Sequence, residues 1–288
     1  MADDSVDRAW GTPEWFEYLF RSQGVSDPAA YFAHAASGYQ MDRHEGLIRA
    51  LRRSSCLLGS TNTCLLDIGC GTGELTRRVA TEFGFCEAFG LDFVLPLVAE
   101  ASATHGSCRF TVGSVPELPF LSGRFDLVIA SEVLYYLSEV DKGRALDEIH
   151  RVLKPRGLVL VSSVLGETYF TPDDIADMLA GHFDIAHTRY EHYRLYHSLT
   201  ANMVRAIRLE HCLRTGDSPG RTESIRKLEG YSWLLDNSVA RWMLAALRNL
   251  MYPLLRMRSL PRLLNEVGRS VLPTSTRSNV VVVASRAQ

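Results

Sequence analysis

The sequence lacks the cysteine pairs that zinc sites and disulfide frameworks need. It has six cysteines, none of them in a C-x-x-C pair, at positions 56, 64, 70, 86, 108 and 212. That spacing favours reduced thiols. The chain also lacks an apolar stretch near the roughly 18 residues of a membrane-spanning helix, and its N-terminus, MADDSVDRAW, has no apolar signal-peptide core. These absences predict a cytosolic protein without a bound metal.

Basic residues are scarce in the first two thirds of the chain, although the net charge is only −2. Residues 1–197 carry 17 Lys and Arg against 27 Asp and Glu, whereas residues 198–288 carry 14 against 6. Apolar residues make up 46% and charged residues 22%, which is typical of a globular protein and excludes a disordered one. The asymmetry suggests that the basic part faces an anionic partner or surface.

Short apolar runs alternate with helical patterns from residue 64 onward. The strand-like runs are 64–68, 86–91, 108–112, 125–131 and 158–164, and the segments with apolar spacing near 3.6 are 74–83, 95–104 and 142–153. Largely apolar strands that alternate with helices indicate a parallel sheet covered on both faces. The sequence therefore predicts an α/β fold with a doubly wound sheet.

Three further segments lie outside this alternating core. Helical patterns precede it within 13–54, residues 198–276 are mostly helical with breaks at Pro253 and Pro261, and the β-branched run 278–285 has strand character. A strand that follows a helical excursion predicts that the excursion is inserted into the sheet domain. The predicted parts are an N-terminal helical cap (1–60), a core (61–197 with 277–288) and a basic helical insertion (198–276).

A glycine-rich loop follows the first predicted strand, within LLDIGCGTGELT. The strand ends at Asp67, Gly69, Gly71 and Gly73 alternate, and a helix begins at Glu74. Glycines at these positions let the backbone turn sharply and pass close under a ligand. A dinucleotide site would need a third glycine where Glu74 stands, and its pyrophosphate would be repelled by that carboxylate. The spacing argues against NAD and FAD.

A second acidic residue closes the next strand, 19 residues after Gly73. This residue, Asp92, suits a ribose diol, because a carboxylate accepts hydrogen bonds from both hydroxyl groups. Asp67, beside the glycine loop, suits a cationic ammonium group. S-adenosylmethionine has an amino acid end, a ribose and an adenine but no phosphate, and it matches both features.

With these motifs, the segment 64–163 resembles the class I S-adenosylmethionine-dependent methyltransferases. The family pattern D-x-G-x-G-x-G is met at 67–73, and the acidic end of the second strand is met by Asp92. The resemblance implies a mostly parallel, seven-stranded, Rossmann-like sheet whose last, antiparallel strand is 278–285. The run SEVLYYL at 131–137 is similar, more weakly, to the nodulation N-methyltransferase branch.

The resemblance also implies which residues bind the cofactor. Phe93 is placed to pack on the adenine, and Ser114 stands where the family usually has the Asp that holds the adenine amino group. A serine still forms a hydrogen bond there, but a weaker one. The predicted cofactor-binding residues are Asp67, Gly69, Cys70, Gly71, Gly73, Asp92, Phe93, Ser114, Val115, Ser131, Tyr39 and Arg43.

Methyl transfer is an in-line displacement at a carbon that the cofactor already activates, so it needs no triad or metal. In the family, the acceptor pocket lies past strands four and five. Glu132, Tyr135 and Tyr136 are candidates for its lining, because carboxylates and aromatic faces attract a sulfonium. The two tyrosines are equally consistent with ordinary helix packing.

The predicted N-terminal cap offers Tyr31, Tyr39 and Arg43 to the same region. Arg43 suits the cofactor's carboxylate, although a solvated arginine on a helix face gives the same pattern. His192 or His197 is a candidate general base, since histidine titrates near neutrality. His187, His192 and His197 recur every five residues and would alternate faces in a strand, which argues against a metal triad.

Nine basic residues are interleaved with tryptophans and tyrosines within 221–271. This pattern has three interpretations: a helical lid over the acceptor pocket, a peripheral membrane surface for a lipid-linked acceptor, or a nucleic-acid surface. The slightly acidic total and the absence of an RNA-binding motif disfavour the last.

The sequence therefore predicts an S-adenosylmethionine-dependent methyltransferase that acts on a small-molecule acceptor. A membrane-surface methyltransferase with a lipid-linked acceptor remains an alternative. A non-catalytic cofactor-binding protein is the other, for which Ser114 is the only sign. The catalytic candidates are Tyr135, Tyr136, His192 and His197. The identity of the acceptor and the oligomeric state stay open.

Overall fold

The computed structural model describes residues 38–54, 62–166, 169–193, 196, 246, 257, 259–274 and 277–287. These residues fall into two compact units. The first unit contains the described residues between 43 and 191 together with those from 277 onward. The second contains residues 38–42 and the described residues between 192 and 274.

Seven strands and six α-helices are described. They are α1 (Gly38–Arg53), β1 (Cys64–Ile68), α2 (Glu74–Phe83), β2 (Glu87–Asp92), α3 (Leu95–Thr104), β3 (Arg109–Val112), β4 (Phe125–Ser131), α4 (Glu139–Val152), β5 (Leu153–Val164), α5 (Pro172–Ala180), β6 (Phe183–Glu191), α6 (Ser259–Val271) and β7 (Asn279–Arg286). A 3₁₀ turn at Leu134–Tyr136 follows β4.

The strands form one sheet in the order β3-β2-β1-β4-β5-β7-β6. The first five strands pair in parallel, and β7 is antiparallel to both β5 and β6. The predicted α/β class and the mostly parallel seven-stranded sheet are confirmed. The terminal valine run is an interior strand of this sheet, and its first six residues are all buried, as a strand covered on both faces requires.

Alternate residues of each central strand pack into two separate apolar clusters. In β1, Leu66 and Ile68 belong to one cluster and Leu65 to the other. Successive side chains of a strand point to opposite faces, so each cluster marks one covered face of the sheet. Leu47 and Leu51 of α1 join the second cluster, which places this helix in the same layer as α2.

Two elements of the sheet unit are absent from the sequence prediction. Helix α5 begins with a capping box, in which Thr171 accepts the backbone N–H of Asp174 and the Asp174 side chain accepts that of Thr171. The motif T-x-x-D would have identified it. Strand β6 shows no regular alternation of burial. Three consecutive exposed residues follow its buried first residue, and two half-buried residues come after them.

One predicted helix break is wrong. Pro261 lies in the first turn of α6, where a proline lacks no intrahelical hydrogen bond and its fixed φ suits the helix. Pro253 and most of the basic segment 221–271 lie outside the described residues, so the three interpretations of that segment stay predictions. Within the described part of the chain, none of the helices is both long and apolar enough to cross a bilayer.

Candidate active site

The carboxyl ends of β1, β2 and β4 meet at one edge of the sheet. Asp67 of β1 lies beside Gly90 of β2 on one side and Ile129 of β4 on the other. The strand order reverses at β1, so that the chain leaves β1 towards β2 and later returns to β4. In open α/β sheets, ligands bind in the crevice at this point.

Three glycines of the loop after β1 adopt left-handed backbone conformations. Gly69, Gly71 and Gly73 have φ of +67°, +54° and +77°, a region that other L-residues adopt only with strain. The Gly69 N–H donates to the Leu91 carbonyl at 2.7 Å, which fastens the loop to β2. The alternating glycines are therefore required by the backbone path into helix α2.

The three glycines differ in what surrounds them. A Cβ on Gly69 would lie 2.3 Å from Val133 Cγ2, and one on Gly73 would lie 2.5 Å from Phe110 Cζ. Among the residues that the structure describes, none lies within 4 Å of a Cβ placed on Gly71. The outer two glycines allow close packing, whereas the middle one borders open space where a ligand can approach the backbone.

We expect Gly69→Ala to destabilise the protein by more than Gly84→Ala, by about 1 to 3 kcal/mol. Gly84 has the same φ of +67°, but a Cβ there would meet no atom of the described part of the chain within 4 Å. The pair therefore separates the clash with Val133 from the common backbone strain. Urea unfolding of both variants measures the difference, and Val133→Ala in the Gly69→Ala background should recover part of it. Equal losses in the two variants would contradict the packing role.

Asp92 closes the glycine loop from the end of β2. Its carboxylate accepts the Gly71 N–H and the Val94 N–H, each at 2.9 Å. Burial raises the pKa of Asp92, and the backbone N–H groups of Val94, Gly71 and Phe93 partly counteract that rise. Each carboxylate oxygen has two lone pairs, so these bonds leave capacity for the two hydroxyl groups of a ribose.

Asp67 is buried one strand away and accepts the Thr76 hydroxyl at 2.6 Å. Burial raises the pKa of Asp67 to about 7, the Thr76 hydrogen bond opposes this, and the negative charge of Asp92 adds to it. Two neighbouring buried carboxylates form a negative site that a cation stabilises. Thr76, in the first turn of α2, was not among the predicted site residues. It belongs to the same LLDIGCGTGELT stretch.

The other predicted adenine-side residues follow β2 and β3. Phe93 is half-buried directly after Asp92, Val115 is buried in the core, and Ser114 is exposed and accepts the Glu117 N–H through its carbonyl at 3.3 Å. Cys70 is a buried residue of the loop itself, with Sγ 3.7 Å from the Gly71 carbonyl oxygen. Burial raises the pKa of its thiol. This thiol therefore stays protonated.

Two sequence-predicted residues meet at the carboxyl end of β4. The Arg43 guanidinium, on α1, donates to Ser131 Oγ through Nη2 at 3.3 Å. The same nitrogen lies 3.3 Å from Glu132 Oε1. Arg43 is 13% exposed, so it is not the solvated arginine of the alternative interpretation.

The tyrosines after β4 pack against each other. The ring centroids of Tyr135 and Tyr136 lie 4.4 Å apart, and Tyr169 meets Tyr135 edge-on at 5.2 Å. Tyr135 donates its hydroxyl to that of Tyr136 at 3.4 Å. Burial, followed by the charge of Glu132, raises the pKa of Tyr135 far above its usual range. Tyr135 therefore remains a neutral phenol and is unsuited to act as a phenolate base.

Two further predicted residues, Tyr39 and His192, belong to the second unit. Tyr39 stacks on Tyr196 at 5.6 Å and meets Tyr193 edge-on at 5.0 Å. His192 is buried, and its backbone N–H donates to Asn265 Oδ1 at 2.8 Å. His197 lies outside the described residues. The roles proposed for Tyr39, His192 and His197 stay predictions. Among the residues that the structure describes, no group of three or more His, Cys, Asp or Glu side chains has the arrangement of a metal site.

Comparison with known proteins decides the family. A family model described as a methyltransferase domain matches residues 65–157, which include the glycine loop and strands β1 to β4. Residues 65–157 are thus a methyltransferase domain, similar to those of the class I S-adenosylmethionine-dependent methyltransferases. The cofactor of this family is S-adenosylmethionine. The family predicted from the loop and the two carboxylates is confirmed.

Curated methyltransferases match the same region. The malonyl-[acyl-carrier protein] O-methyltransferase of Pseudescherichia vulneris is 30% identical over 140 residues, which are 47% of this chain and 53% of that protein. The trans-aconitate 2-methyltransferase of Deinococcus radiodurans is 36% identical over 98 residues, 34% of this chain and 36% of that protein. The chain thus spans about half or less of the length of these two relatives.

A solved structure shares the fold over a longer span. It is a Galdieria sulphuraria protein whose assignment as a sarcosine dimethylglycine methyltransferase is itself a proposal. The match has a TM-score of 0.53 and 15% identity, and it covers 94% of this chain and 97% of that one. At this identity the likeness shows the fold alone.

The methyltransferase loop has the features that S-adenosylmethionine requires. Gly71 leaves open space at the backbone, and a Cβ would enter it. The buried carboxylates of Asp67 and Asp92 suit a cationic nucleoside and repel phosphate. The residues present therefore fit this cofactor and disfavour a dinucleotide.

Proposed function

We propose that the chain transfers a methyl group from S-adenosylmethionine to a small organic acceptor, free or carried on a larger molecule. The observation that carries this proposal is the glycine loop that Asp92 holds in place. Gly71 borders open space while its N–H is held by the carboxylate of Asp92, which also suits a ribose. The names of two relatives, which refer to a malonyl carrier protein and to trans-aconitate, support a small organic acceptor.

Each residue of the site has a distinct part in this function. Asp92 binds the ribose hydroxyl groups, Asp67 compensates the positive charge, and Arg43 binds the carboxylate of the amino acid end. When bound, S-adenosylmethionine supplies the methyl group on a positively charged sulfur. Tyr135 and Tyr136 give a neutral aromatic wall that attracts this charge and excludes water from the reacting atoms.

A substitution at Gly71 tests the proposal with little damage to the fold. Gly71→Ala should cost about 1 kcal/mol of stability for its left-handed φ, because the new Cβ meets no atom of the described residues within 4 Å. The same Cβ enters the space assigned to the cofactor. We therefore expect at least a tenfold loss of S-adenosylmethionine affinity in calorimetry and a matching loss of labelled methyl transfer to a panel of small acids and amines.

Gly84→Ala is the matched control, since Gly84 has a similar left-handed φ and equally open surroundings. It should lose similar stability and keep full cofactor affinity. Unchanged affinity in Gly71→Ala would contradict the placement of the cofactor. A wild-type chain that binds no S-adenosylmethionine would contradict the function itself.

A further inference from the structure

Glu132 adopts a strained backbone conformation at the edge of the candidate active site. Its φ is +61°, which a residue with a long side chain rarely adopts and which costs on the order of 1 to 3 kcal/mol. It follows the last residue of β4 and precedes Val133, whose side chain packs against Gly69. Such strain persists only where the surroundings fix the residue, and it is concentrated at functional sites.

Three hydrogen bonds fasten Glu132 to strand β5. Its carboxylate accepts the Val164 N–H at 3.0 Å and the Ser162 hydroxyl at 3.2 Å. Its own N–H donates to the Ser162 carbonyl at 2.9 Å. The Ser162 and Ser131 hydroxyl groups are in turn 2.9 Å apart. The carboxylate is thus fixed in position by main-chain and side-chain groups of the sheet.

The fixed carboxylate holds one cation. Glu132 Oε1 lies 3.3 Å from Arg43 Nη2, and the two side chains are only 12% and 13% exposed. Charge pairs are stronger with partial burial than in water, and the removal of one partner leaves the other poorly solvated. A guanidinium has five N–H donors and is well suited to a second, bidentate carboxylate partner.

We propose that Glu132 is a positioning residue, which holds the Arg43 guanidinium for the carboxylate at the amino acid end of the cofactor. This inference rests on the proposed function. With this φ, the side chain of Glu132 leaves the end of β4 towards β5. Its carboxylate there contacts Ser162 of β5 and, on its other side, Arg43 of α1. Helix α1 is thereby fixed to the sheet edge at the residue that binds the ligand.

Two adenosine ligands separate positioning from general structural support. S-adenosylhomocysteine carries the amino acid carboxylate, and 5′-methylthioadenosine has the same nucleoside without it. For Glu132→Gln, calorimetry should show about a tenfold loss of affinity for the first ligand and less than a twofold change for the second. Arg43→Gln should give the same selective loss. The double variant should lose no more than Arg43→Gln alone, because the residues act as one unit.

Glu87→Gln is the matched control, since Glu87 forms ion pairs with Arg109 and Arg124 from the first residue of β2. It should bind both ligands like the wild type. Glu132→Gly relieves the strained φ and should show the same selective loss even if Glu132→Gln folds poorly. An equal loss for both ligands, or no loss for either, would overturn the positioning role. A wild-type chain that binds neither ligand would instead refute the proposed function.

Discussion

Asp92→Ala should lower S-adenosylmethionine affinity at least 100-fold, the largest loss expected from a single side chain of this site. Two effects combine. The ribose hydroxyl groups lose their carboxylate acceptor. The Gly71 N–H also loses its hydrogen bond to the Asp92 carboxylate, 2.9 Å long, which holds the loop in place. Hydrogen bonds to a charged acceptor contribute about 1.5 to 3 kcal/mol each, so the loss of two suffices for this factor. Calorimetric titration measures it directly.

Asp126→Ala is the control for Asp92→Ala. Asp126 also accepts a backbone N–H, from Cys64 at 2.7 Å, and pairs with Lys154 at 2.7 Å. It lies near the start of β4, whereas Asp92 ends β2. We expect it to lose stability and to bind the cofactor normally. Equal binding losses in the two variants would show that Asp92 acts only through the fold.

Asp67→Asn should stabilise the ligand-free protein at pH 8 while it weakens cofactor binding. In the folded state the pKa of Asp67 is raised from 3.8 to about 7. Because the folded pKa exceeds the unfolded one, ionisation opposes folding, and stability from this group is lost as pH rises from about 4 to 7. The opposition amounts to at most about 4 kcal/mol above pH 7. Asparagine cannot ionise, and its carbonyl still accepts the Thr76 hydroxyl.

Thermal unfolding of wild type and Asp67→Asn across pH 4 to 8 measures this difference. The gain in Tm should be near zero at pH 4, grow through pH 7 and then level off. Shifts from other titrating groups cancel between the two proteins. A gain that is independent of pH would contradict the assignment to this carboxyl. In the complex, a cation beside Asp67 stabilises its ionised form, so the same variant should bind S-adenosylmethionine more weakly.

Local patterns were sufficient to predict much of the sheet unit. The glycines at 69, 71 and 73 imply a backbone path, and largely apolar strands that alternate with helices imply a sheet with two covered faces. Helix α5 and strand β6 were missed. The capping box of α5 is visible in the sequence and could have predicted this helix. Strand β6 is half-exposed, and its burial pattern is set by β7, which comes about 90 residues later.

The acidic part of the charge asymmetry also has a structural reason. Asp67 and Asp92 are two of the acidic residues before residue 198, and both are buried at the carboxyl edge of the sheet. The role that we propose for them depends on low solvation, which composition does not reveal. The basic part lies largely outside the described residues, so its assignment to a lid or a membrane surface stays a prediction.

The sequence alone determined the family, the parallel sheet and the cofactor loop, because periodicity and backbone φ preferences are properties of neighbouring residues. Tertiary structure alone decided which contacts surround this loop. Arg43 meets Glu132 across 89 positions of chain. Residue 69 must lack a Cβ, because Val133 packs against it. Burial raises the pKa of Asp67 to about 7. Such contacts and such burial arise from the packing of distant segments, which no local pattern specifies.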